Sequence, residues 1–350
     1  MFADMPKVEL HLHLDGALPP RTLLQLADRH RAFDLLPGET EEAIAGWFVF
    51  RDFNHFVEVV RVIKRLLRTA DDFALAVSST GAALAAQHVR YAEITVTPYS
   101  LIDALGHGAT LEAMLDGLEA GRRQVRADHG VELRWIFDIP RNRAFADYRL
   151  GGPYVPGAAE RTLDYALAGR DYGVVGLGLG GSEVNAPPEP FAHVFERAKA
   201  EGLRSVPHAG ESAGPASIWG AVEALKADRI GHGIRAVEDE RLLATLAERQ
   251  IPLEVCMSCN VALSFTPRLS DHPLPALDAA GVLVTVNTDD PMLVGATMSR
   301  EYELLAEVFG WPVEDVLRLA RNSFTASFAE PELKARLLAE FDAWRSAHGV

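Results

Sequence analysis

Cysteine is scarce in this sequence: among 350 residues there are only Cys256 and Cys259. Two cysteines cannot build a disulfide framework, and their C-x-x-C spacing lacks the second pair that a four-cysteine structural zinc site requires. A redox-active pair is one interpretation of this spacing. Two small apolar residues of a buried strand are the other, which we favour because free cysteine packs as a hydrophobe.

Basic residues are also few relative to acidic ones. The chain has 34 Lys and Arg against 49 Asp and Glu, a net charge of −15. Because nucleic-acid binding depends largely on neutralising phosphates with Lys and Arg, we expect no nucleic-acid partner. No apolar run reaches the roughly 18 residues of a membrane-spanning helix, and the first residues lack the apolar core of a secretion signal. We therefore expect a cytoplasmic protein without a membrane partner.

The sequence does contain a regular alternation of short apolar runs and helical patterns. Strands alternating with helices predict a parallel (β/α)8 TIM barrel of the α/β class, and a doubly wound open sheet is the alternative that periodicity leaves open. We expect one domain over residues 1–350, with a helical insertion at about residues 20–87 that forms a lid or pocket wall. Eight runs bounded by Gly, Pro, Asn or Asp have strand character, at residues 8–14, 89–98, 132–140, 174–181, 203–210, 229–234, 252–260 and 283–291.

Histidines and carboxylates recur where these strands end. His11 and His13 are two residues apart on the first strand, so their side chains leave the same face. A barrel gathers the carboxyl ends of its strands on its catalytic face, where nitrogen and oxygen donors suit zinc and also permit iron or cobalt. The other members of the expected cluster follow later strands: His208, His232, Asp289 and Asp290.

The other eight histidines fall in helical or loop patterns without clustered partners. Of these, His55 in the insertion is the strongest candidate for a role in the site. We expect surface or packing roles for the group, which comprises His30, His55, His88, His107, His129, His193, His272 and His348.

Glu211 follows His208 by three residues in the run HAGES. A carboxyl group beside a metal site is well placed to shuttle a proton. The alternative is a Glu at a helix N-terminus, favoured there by the helix dipole, since a helical pattern follows. We favour the proton-transfer role because of the neighbouring His208.

Two glycine motifs suggest other chemistries. Residues 176–181, GLGLGG, match the dinucleotide fingerprint G-x-G-x-x-G, but a run with three prolines follows where a helix is needed, so we predict no dinucleotide site. Residues 210–214 match G-x-S-x-G between a strand and a helix. A serine hydrolase with Ser212 as nucleophile is therefore the rival hypothesis, although it leaves the histidines of the first strand without a role.

The chain resembles the adenosine deaminase family in four ordered motifs that span nearly its whole length: PKVELHLHLDGAL, VPHAGES, DRIGHG and VTVNTDDP. The resemblance implies a (β/α)8 barrel with one catalytic zinc ion per chain. It implies that the zinc ligands are His11, His13, His208 and Asp289, with His13 also facing the substrate.

The same resemblance implies a division of labour among other residues of these motifs. Glu211 would protonate the purine ring nitrogen N1, while His232 and Asp290 would orient and deprotonate the attacking water. Gly181 would hydrogen-bond the purine ring, and Asp15 would meet the 5′ end of the ribose. Water would then add to C6, and the 6-amino group would leave as ammonia.

The motifs point to more than one purine substrate. The run GGSEVNAPPE is similar to bacterial adenine deaminases, yet Asp15 stands where those carry Glu and favours a nucleoside. Met257 and Cys259 replace the Pro and Ser of the family's seventh-strand motif. Three further runs resemble the branch that acts on 6-aminodeoxyfutalosine, an adenine nucleoside that is extended at its 5′ position and belongs to menaquinone synthesis. These runs are WFVFRDFNHF, VRYAEITVTPYS and LRWIFDIP.

We therefore expect a zinc-dependent deaminase of a small purine, either adenosine or 6-aminodeoxyfutalosine. Adenine and an N6-substituted adenine are the alternative substrates. A non-catalytic barrel that binds a nucleoside is the alternative of another class.

Overall fold

Eight parallel strands form the centre of the chain in the computed structural model, which describes residues 1–51 and 53–350, without the side chains of residues 53 and 54. Asp52, within the run WFVFRDFNHF, lies outside the described residues. The strands are β1 (Lys7–His13), β2 (Val89–Val96), β3 (Glu132–Pro140), β4 (Val174–Gly180), β5 (Arg204–Ala209), β6 (Ile230–His232), β7 (Leu253–Val255) and β8 (Val284–Val286).

Each strand pairs with the next one along the chain, in the order β1 to β8. The chain after β8 closes onto β1 through backbone hydrogen bonds. The amide of His13 donates to the carbonyl of Asp289 at 2.8 Å, and the amide of Asp289 donates to the carbonyl of His11 at 3.0 Å. A doubly wound sheet would reverse its strand order and keep two free edges. The prediction of a TIM barrel is therefore confirmed.

The seventh strand is much shorter than the sequence predicts. Strand character is predicted over residues 252–260, but the structure has a strand only at Leu253–Val255 and begins a helix at Met257. Hydrophobicity alone does not separate a buried strand from a buried helix, and this run is apolar through both. Cys259 therefore lies in a buried helix rather than in a strand.

Helices follow the strands, and four of them, α1 to α4, lie in the insertion predicted after the first strand. Within the described parts of the chain, no helix is long and apolar enough to cross a membrane. In chain order the helices are α1 (Pro20–His30), α2 (Glu41–Trp47), α3 (Phe53–Arg65), α4 (Ala70–Ala86), α5 (Leu111–His129), α6 (Gly157–Ala168), α7 (Ala192–Ala200), α8 (Pro215–Glu223), α9 (Glu240–Arg249), α10 (Met257–Ala262), α11 (Leu274–Ala279), α12 (Pro291–Val294), α13 (Met298–Phe309), α14 (Val313–Ala326) and α15 (Pro331–His348).

Helix α4 has a well-defined beginning. The side chain of Thr69 accepts a hydrogen bond from the Asp72 amide, and the Asp72 carboxylate accepts one from the Thr69 amide at 2.8 Å. This reciprocal arrangement satisfies amides that a helix start leaves unpaired. Helix α4 therefore begins at a fixed residue, and strand β2 follows this helix in the chain.

A buried ion cluster joins the barrel strands. The guanidinium of Arg229 contacts Glu93 of β2 and Glu254 of β7, and its Nε lies 2.5 Å from Glu254 Oε1. All three side chains are buried. Removing one partner from such a cluster typically costs about 3–5 kcal/mol of stability, because it leaves an uncompensated buried charge. Glu254 therefore contributes to the stability of the barrel as a buried partner of Arg229.

Candidate active site

The side chains predicted to act together meet in a cavity at the carboxyl ends of the strands. The cavity has a volume of about 280 Å³. His11 lies next to it, only 2% exposed, with its ring centre 4.6 Å from that of His208. The lining includes His13, Asp15, Gly181, His208, Glu211, His232, Asp289 and Asp290.

Four side chains at the cavity bring donor atoms close to one another in pairs. Asp289 Oδ1 is 3.3 Å from Nε2 of both His11 and His13, and His13 Nε2 is 3.2 Å from His208 Nε2. Two ligands of a tetrahedral zinc ion, each at about 2.1 Å from it, lie about 3.4 Å apart. Nε2 of His11 is also buried without a hydrogen-bond partner among the described residues. An unpaired ring nitrogen beside three other donors fits a metal ligand.

His232 lies at the edge of this donor cluster. Its Nε2 is 3.4 Å from Glu211 Oε1 and 3.8 Å from Asp289 Oδ2. His232 therefore stands between the cluster and Glu211. Four side chains whose donor atoms all lie within 4.8 Å of one another do include it, namely His11, His208, His232 and Asp289, and this set has His232 in the place of the predicted ligand His13.

The backbone around the cluster has unusual conformations. His232 and Asp289 have φ angles of 63° and 67°, in the left-handed region that few non-glycine residues adopt. The lack of a side chain at Gly16 makes room for Asp290, because a Cβ at Gly16 would lie 1.8 Å from Asp290 Oδ1. Strained residues persist where the surrounding structure holds them, often at functional sites.

Glu254 orients His11, a role that the motifs do not reveal. Its Oε2 accepts a hydrogen bond from His11 Nδ1 at 2.7 Å, which leaves Nε2 for the donor cluster. A carboxylate that holds a ligating histidine in this way fixes the ring and raises its basicity. The sequence signal that marks Glu254 is a charged residue in the middle of the apolar strand β7.

Glu183 holds the turn that carries Glu211. Its carboxylate accepts hydrogen bonds from the backbone amides of Gly210, Glu211 and Ser212 at 2.8, 2.9 and 2.8 Å. The hydroxyl of Ser212 donates to the same carboxylate at 3.3 Å. Within residues 1–51 and 53–350, no hydrogen bond joins Ser212 to a histidine. The geometry therefore gives Ser212 no general base of the kind a serine hydrolase uses.

The carboxyl group of Glu211 lies between two polar partners. Its Oε1 is 3.4 Å from His232 Nε2 and accepts a hydrogen bond from Asn260 Nδ2 at 3.3 Å. Burial, together with the negative charges of Asp289 and Glu183, raises the pKa of Glu211 well above its usual range. Burial lowers the pKa of His232 to about 4. Both shifts favour the uncharged forms, a protonated carboxyl group on Glu211 and a neutral ring on His232.

His272, expected as a surface or packing residue, reaches the site through Asn260. The ring of His272 is buried, and its Nε2 lies 3.3 Å from Asn260 Oδ1. Nδ2 of Asn260 is in turn 3.2 Å from His232 Nδ1. His272 is therefore a packing residue with a polar link to the site. Among the described residues, the other seven histidines of its group do not line the cavity.

Asp15 lines the cavity beside Lys64. Nζ of Lys64 is 3.2 Å from Asp15 Oδ2 and 3.5 Å from Thr97 Oγ1. Because Lys64 belongs to α3, the insertion contributes both a cation and part of the cavity wall. The exposed side chains of Arg61 and Arg143 complete the lining at this end.

The GLGLGG run forms β4 and the turn that follows it. Gly181 has a φ of 91°, a conformation that glycine adopts without strain, and it lines the cavity. No helix starts at this turn, since the next helical segment begins at Glu189. The run therefore lacks the helix start that a dinucleotide-binding loop needs.

Both cysteines are buried and free. Burial raises the pKa of each thiol well above its usual range, so neither is present as the reactive thiolate at neutral pH. Sγ of Cys259 lies within 4.8 Å of carboxylate oxygens of Asp289 and Asp290. These positions favour the interpretation of the pair as buried apolar residues.

Known proteins resemble this chain along almost its entire length. The sequence model described as adenosine deaminase matches residues 6–344. The chain is 40% identical over 347 residues to the aminodeoxyfutalosine deaminase of Streptomyces avermitilis, covering 99% of this chain and 92% of the relative. It is 38% identical over 343 residues to the adenine deaminase of Streptomyces coelicolor, covering 97% and 96%.

A solved structure agrees with these matches. The crystal structure of the adenine deaminase from Arthrobacter aurescens superposes with a TM-score of 0.88 at 33% identity, covering 98% of this chain and 99% of the other. An amidohydrolase from Burkholderia ambifaria with bound zinc has a TM-score of 0.86 at 28% identity, covering 99% and 93%. The relatives and the cavity together support an aminohydrolase. The chain belongs to the adenosine deaminase family.

Proposed function

We propose that this chain is a zinc-dependent hydrolytic deaminase that replaces the 6-amino group of an adenine nucleoside with a 6-oxo group and releases ammonia. The observation that carries the proposal is the position of Glu211 and His232 beside the donor cluster, in one cavity. Membership of a deaminase family supports the class of reaction.

Four side chains would hold the zinc ion. Three ring nitrogens and one carboxylate oxygen form a donor set that suits zinc, and the bound zinc in the relative from Burkholderia ambifaria supports this choice of metal. A zinc ion bound there supplies a Lewis acid that makes water nucleophilic at neutral pH. The proposed ligands are His11, His13, His208 and Asp289.

The protein's own groups would move the protons. The protonated Glu211 would donate to N1 of the purine, which withdraws electrons from C6 and opens that carbon to attack. His232 and Asp290 would orient the attacking water and take up its proton. Addition of water at C6 followed by cleavage of the C6–N bond gives the 6-oxo purine and ammonia. General acid and base groups placed in this way commonly contribute about 10²–10⁴-fold each.

Aminodeoxyfutalosine is the first candidate substrate, followed by adenosine. The relative that acts on aminodeoxyfutalosine is 40% identical to this chain. The cavity also continues past Asp15 along α3 to the exposed Arg61, which leaves room for a substituent at the 5′ end of the sugar. Menaquinone biosynthesis would then be the pathway served. Adenine and an N6-substituted adenine remain the alternatives, since a relative at 38% identity is an adenine deaminase.

The substrate is tested by measuring kcat/KM of the zinc-loaded enzyme for aminodeoxyfutalosine, adenosine, adenine and an N6-substituted adenine. We expect kcat/KM for either nucleoside to exceed that for adenine by at least about tenfold. Adenine has no sugar, so it would leave the carboxylate of Asp15 without a hydrogen-bonding partner on the substrate. A preference for adenine over both nucleosides would contradict the assignment of Asp15. Absence of ammonia release from every purine would favour a nucleoside-binding barrel instead.

We expect Glu254→Gln to weaken zinc binding by about 10–100-fold, because the amide no longer holds His11 as a carboxylate does. Glu93→Gln is the matched control: it also removes a carboxylate partner of Arg229, but it does not contact His11. Zinc affinity is measured by competition with a chromogenic chelator, and thermal unfolding is followed on the same samples. An equal loss of zinc affinity in both variants would show that Glu254 acts through stability alone.

A further inference from the structure

Asp138 is a buried carboxyl group that the proposed chemistry does not use. It lies on β3, is 3% exposed and lines the cavity. Its Oδ1 is buried without a hydrogen-bond partner, and neither of its oxygens takes part in a hydrogen bond or ion pair within residues 1–51 and 53–350. Arg141, three residues along the chain, uses its Nη atoms on the carbonyls of Ala186 and His208 instead.

Two other buried carboxylates of this chain are well supplied with donors. Glu183 accepts three backbone amides at 2.8–2.9 Å, and Glu254 pairs with both His11 and Arg229. Glu301 Oε1 is, like Asp138 Oδ1, buried without a hydrogen-bond partner among the described residues, but Glu301 does not line the cavity. A buried carboxylate without donors is destabilising, and burial raises the pKa of Asp138 to about 7. Asp138 is therefore a buried carboxyl group that combines an unpaired oxygen with a place in the cavity lining.

The neighbouring strand is built around this carboxyl group. A Cβ at Gly180 would lie 2.2 Å from Asp138 Oδ2, and a Cβ at Gly178 would lie 2.7 Å from Oδ1. Gly178 is also the residue paired with Asp138 in the β3–β4 register. The alternating glycines of the GLGLGG run thus provide the space in which the carboxyl group sits. Any larger residue at these two positions would displace it.

The position of Asp138 identifies the part of a substrate that it faces. In a deamination, C6 of the purine must lie at Glu211 and the donor cluster, so N9 and its sugar point toward the outer cavity. Val96 of β2 pairs with Phe137 of β3, so Asp138 follows at the strand end beside Thr97. Nζ of Lys64 lies 3.5 Å from Thr97 Oγ1 and 3.2 Å from Asp15 Oδ2, so Asp138 lies on the side of the cavity that holds the Asp15–Lys64 pair. The sugar would occupy this zone, and its hydroxyl groups are hydrogen-bond donors.

We propose, resting on the proposed function, that Asp138 is a specificity-determining residue that accepts a hydrogen bond from the 2′- or 3′-hydroxyl of the substrate's ribose. The bond would satisfy the unpaired Oδ1 and would be absent with a deoxynucleoside lacking that hydroxyl. A deoxynucleoside without that hydroxyl would leave the buried carboxyl oxygen unpaired, so the contact discriminates between sugars.

The test compares adenosine, 2′-deoxyadenosine, 3′-deoxyadenosine and adenine as substrates of the zinc-loaded wild type, Asp138→Asn and Asp138→Ala. The wild type should prefer adenosine over one of the two deoxynucleosides by about 10–100-fold in kcat/KM. Asp138→Ala should lose that preference, with adenosine reduced by a similar factor and the affected deoxynucleoside reduced less than about threefold. Asp138→Asn keeps the shape of the side chain and should give an intermediate preference.

The control is Asp147→Asn, which removes an exposed carboxylate from the loop after β3 and lies outside the cavity lining. This variant should leave kcat/KM unchanged for all four substrates. An equal loss on every substrate in the Asp138 variants, or a wild type that does not distinguish the three nucleosides, would overturn the proposal. If the wild type deaminates no purine, the proposed function fails. The affinities for inosine, 2′-deoxyinosine and 3′-deoxyinosine, measured by calorimetry, then test the role of Asp138. The ratios expected between these affinities are those given above for kcat/KM.

Discussion

Replacing Glu211 with Gln is expected to lower kcat/KM by about 10³-fold, within the range for loss of a general acid, while zinc content stays at one ion per chain. The amide of Gln has nearly the shape of the carboxyl group and can keep the contact with Asn260. It cannot transfer a proton to the purine. The turn itself should not move, because Glu183 holds it through the backbone amide of Glu211 and its neighbours.

The check is the rate of ammonia release alongside the zinc content of the same preparation. Ser212→Ala serves as the comparison within the turn, since it removes only a hydroxyl that bonds to Glu183. The hydroxyl donates to the Glu183 carboxylate and accepts from the Glu183 amide, both at 3.3 Å, and loss of these two long hydrogen bonds should cost less than about tenfold in kcat/KM. Full activity in Glu211→Gln together with an inactive Ser212→Ala would reverse the mechanism in favour of a serine hydrolase.

Asp289→Ala is expected to lose the metal itself, and with it at least about 10³-fold in kcat/KM, since Lewis-acid stabilisation is worth several kcal/mol. Asp289 Oδ1 is the atom that His11 and His13 share at 3.3 Å. Without this carboxylate oxygen, only the three histidine rings remain as metal ligands. The barrel should still close, because the bonds between this segment and β1 are made by the backbone of Asp289.

The expected result for Asp289 separates metal binding from catalysis. Asp289→Asn is the second variant, since Asn tolerates the left-handed conformation of this residue better than Ala does. Asp290→Asn is the matched comparison: it alters the adjacent carboxyl group and should keep zinc while lowering turnover. Metal analysis and circular dichroism on all three variants provide the measurement. Zinc retained in both Asp289 variants would remove Asp289 from the ligand set.

The barrel could be predicted from the sequence because its determinants are local. Each strand is a short apolar run and each crossover a helical pattern, and the residues at the strand ends then follow from the topology alone. His11 and His13 share a face by the period of a strand. The length of β7 was predicted wrongly because an apolar run continues into α10 without a change in composition.

The residues that surround the site could not be predicted because their partners are remote in the chain. Glu254 contacts His11 across 243 positions, and Lys64 of the insertion meets Asp15 only once α3 lies over the barrel. No periodicity relates such pairs. In the sequence Asp138 is one of three charged residues of β3, and its significance depends on the glycines of β4 that face it.

The most direct test of the central claim is a zinc titration of chelator-treated enzyme, followed by the initial rate of conversion of adenosine and aminodeoxyfutalosine to their 6-oxo products. The account predicts that the metal-free protein is inactive and that the rate rises in proportion to bound zinc up to one ion per chain. Full activity of the metal-free protein, with inactivation by a serine-reactive fluorophosphonate, would contradict it.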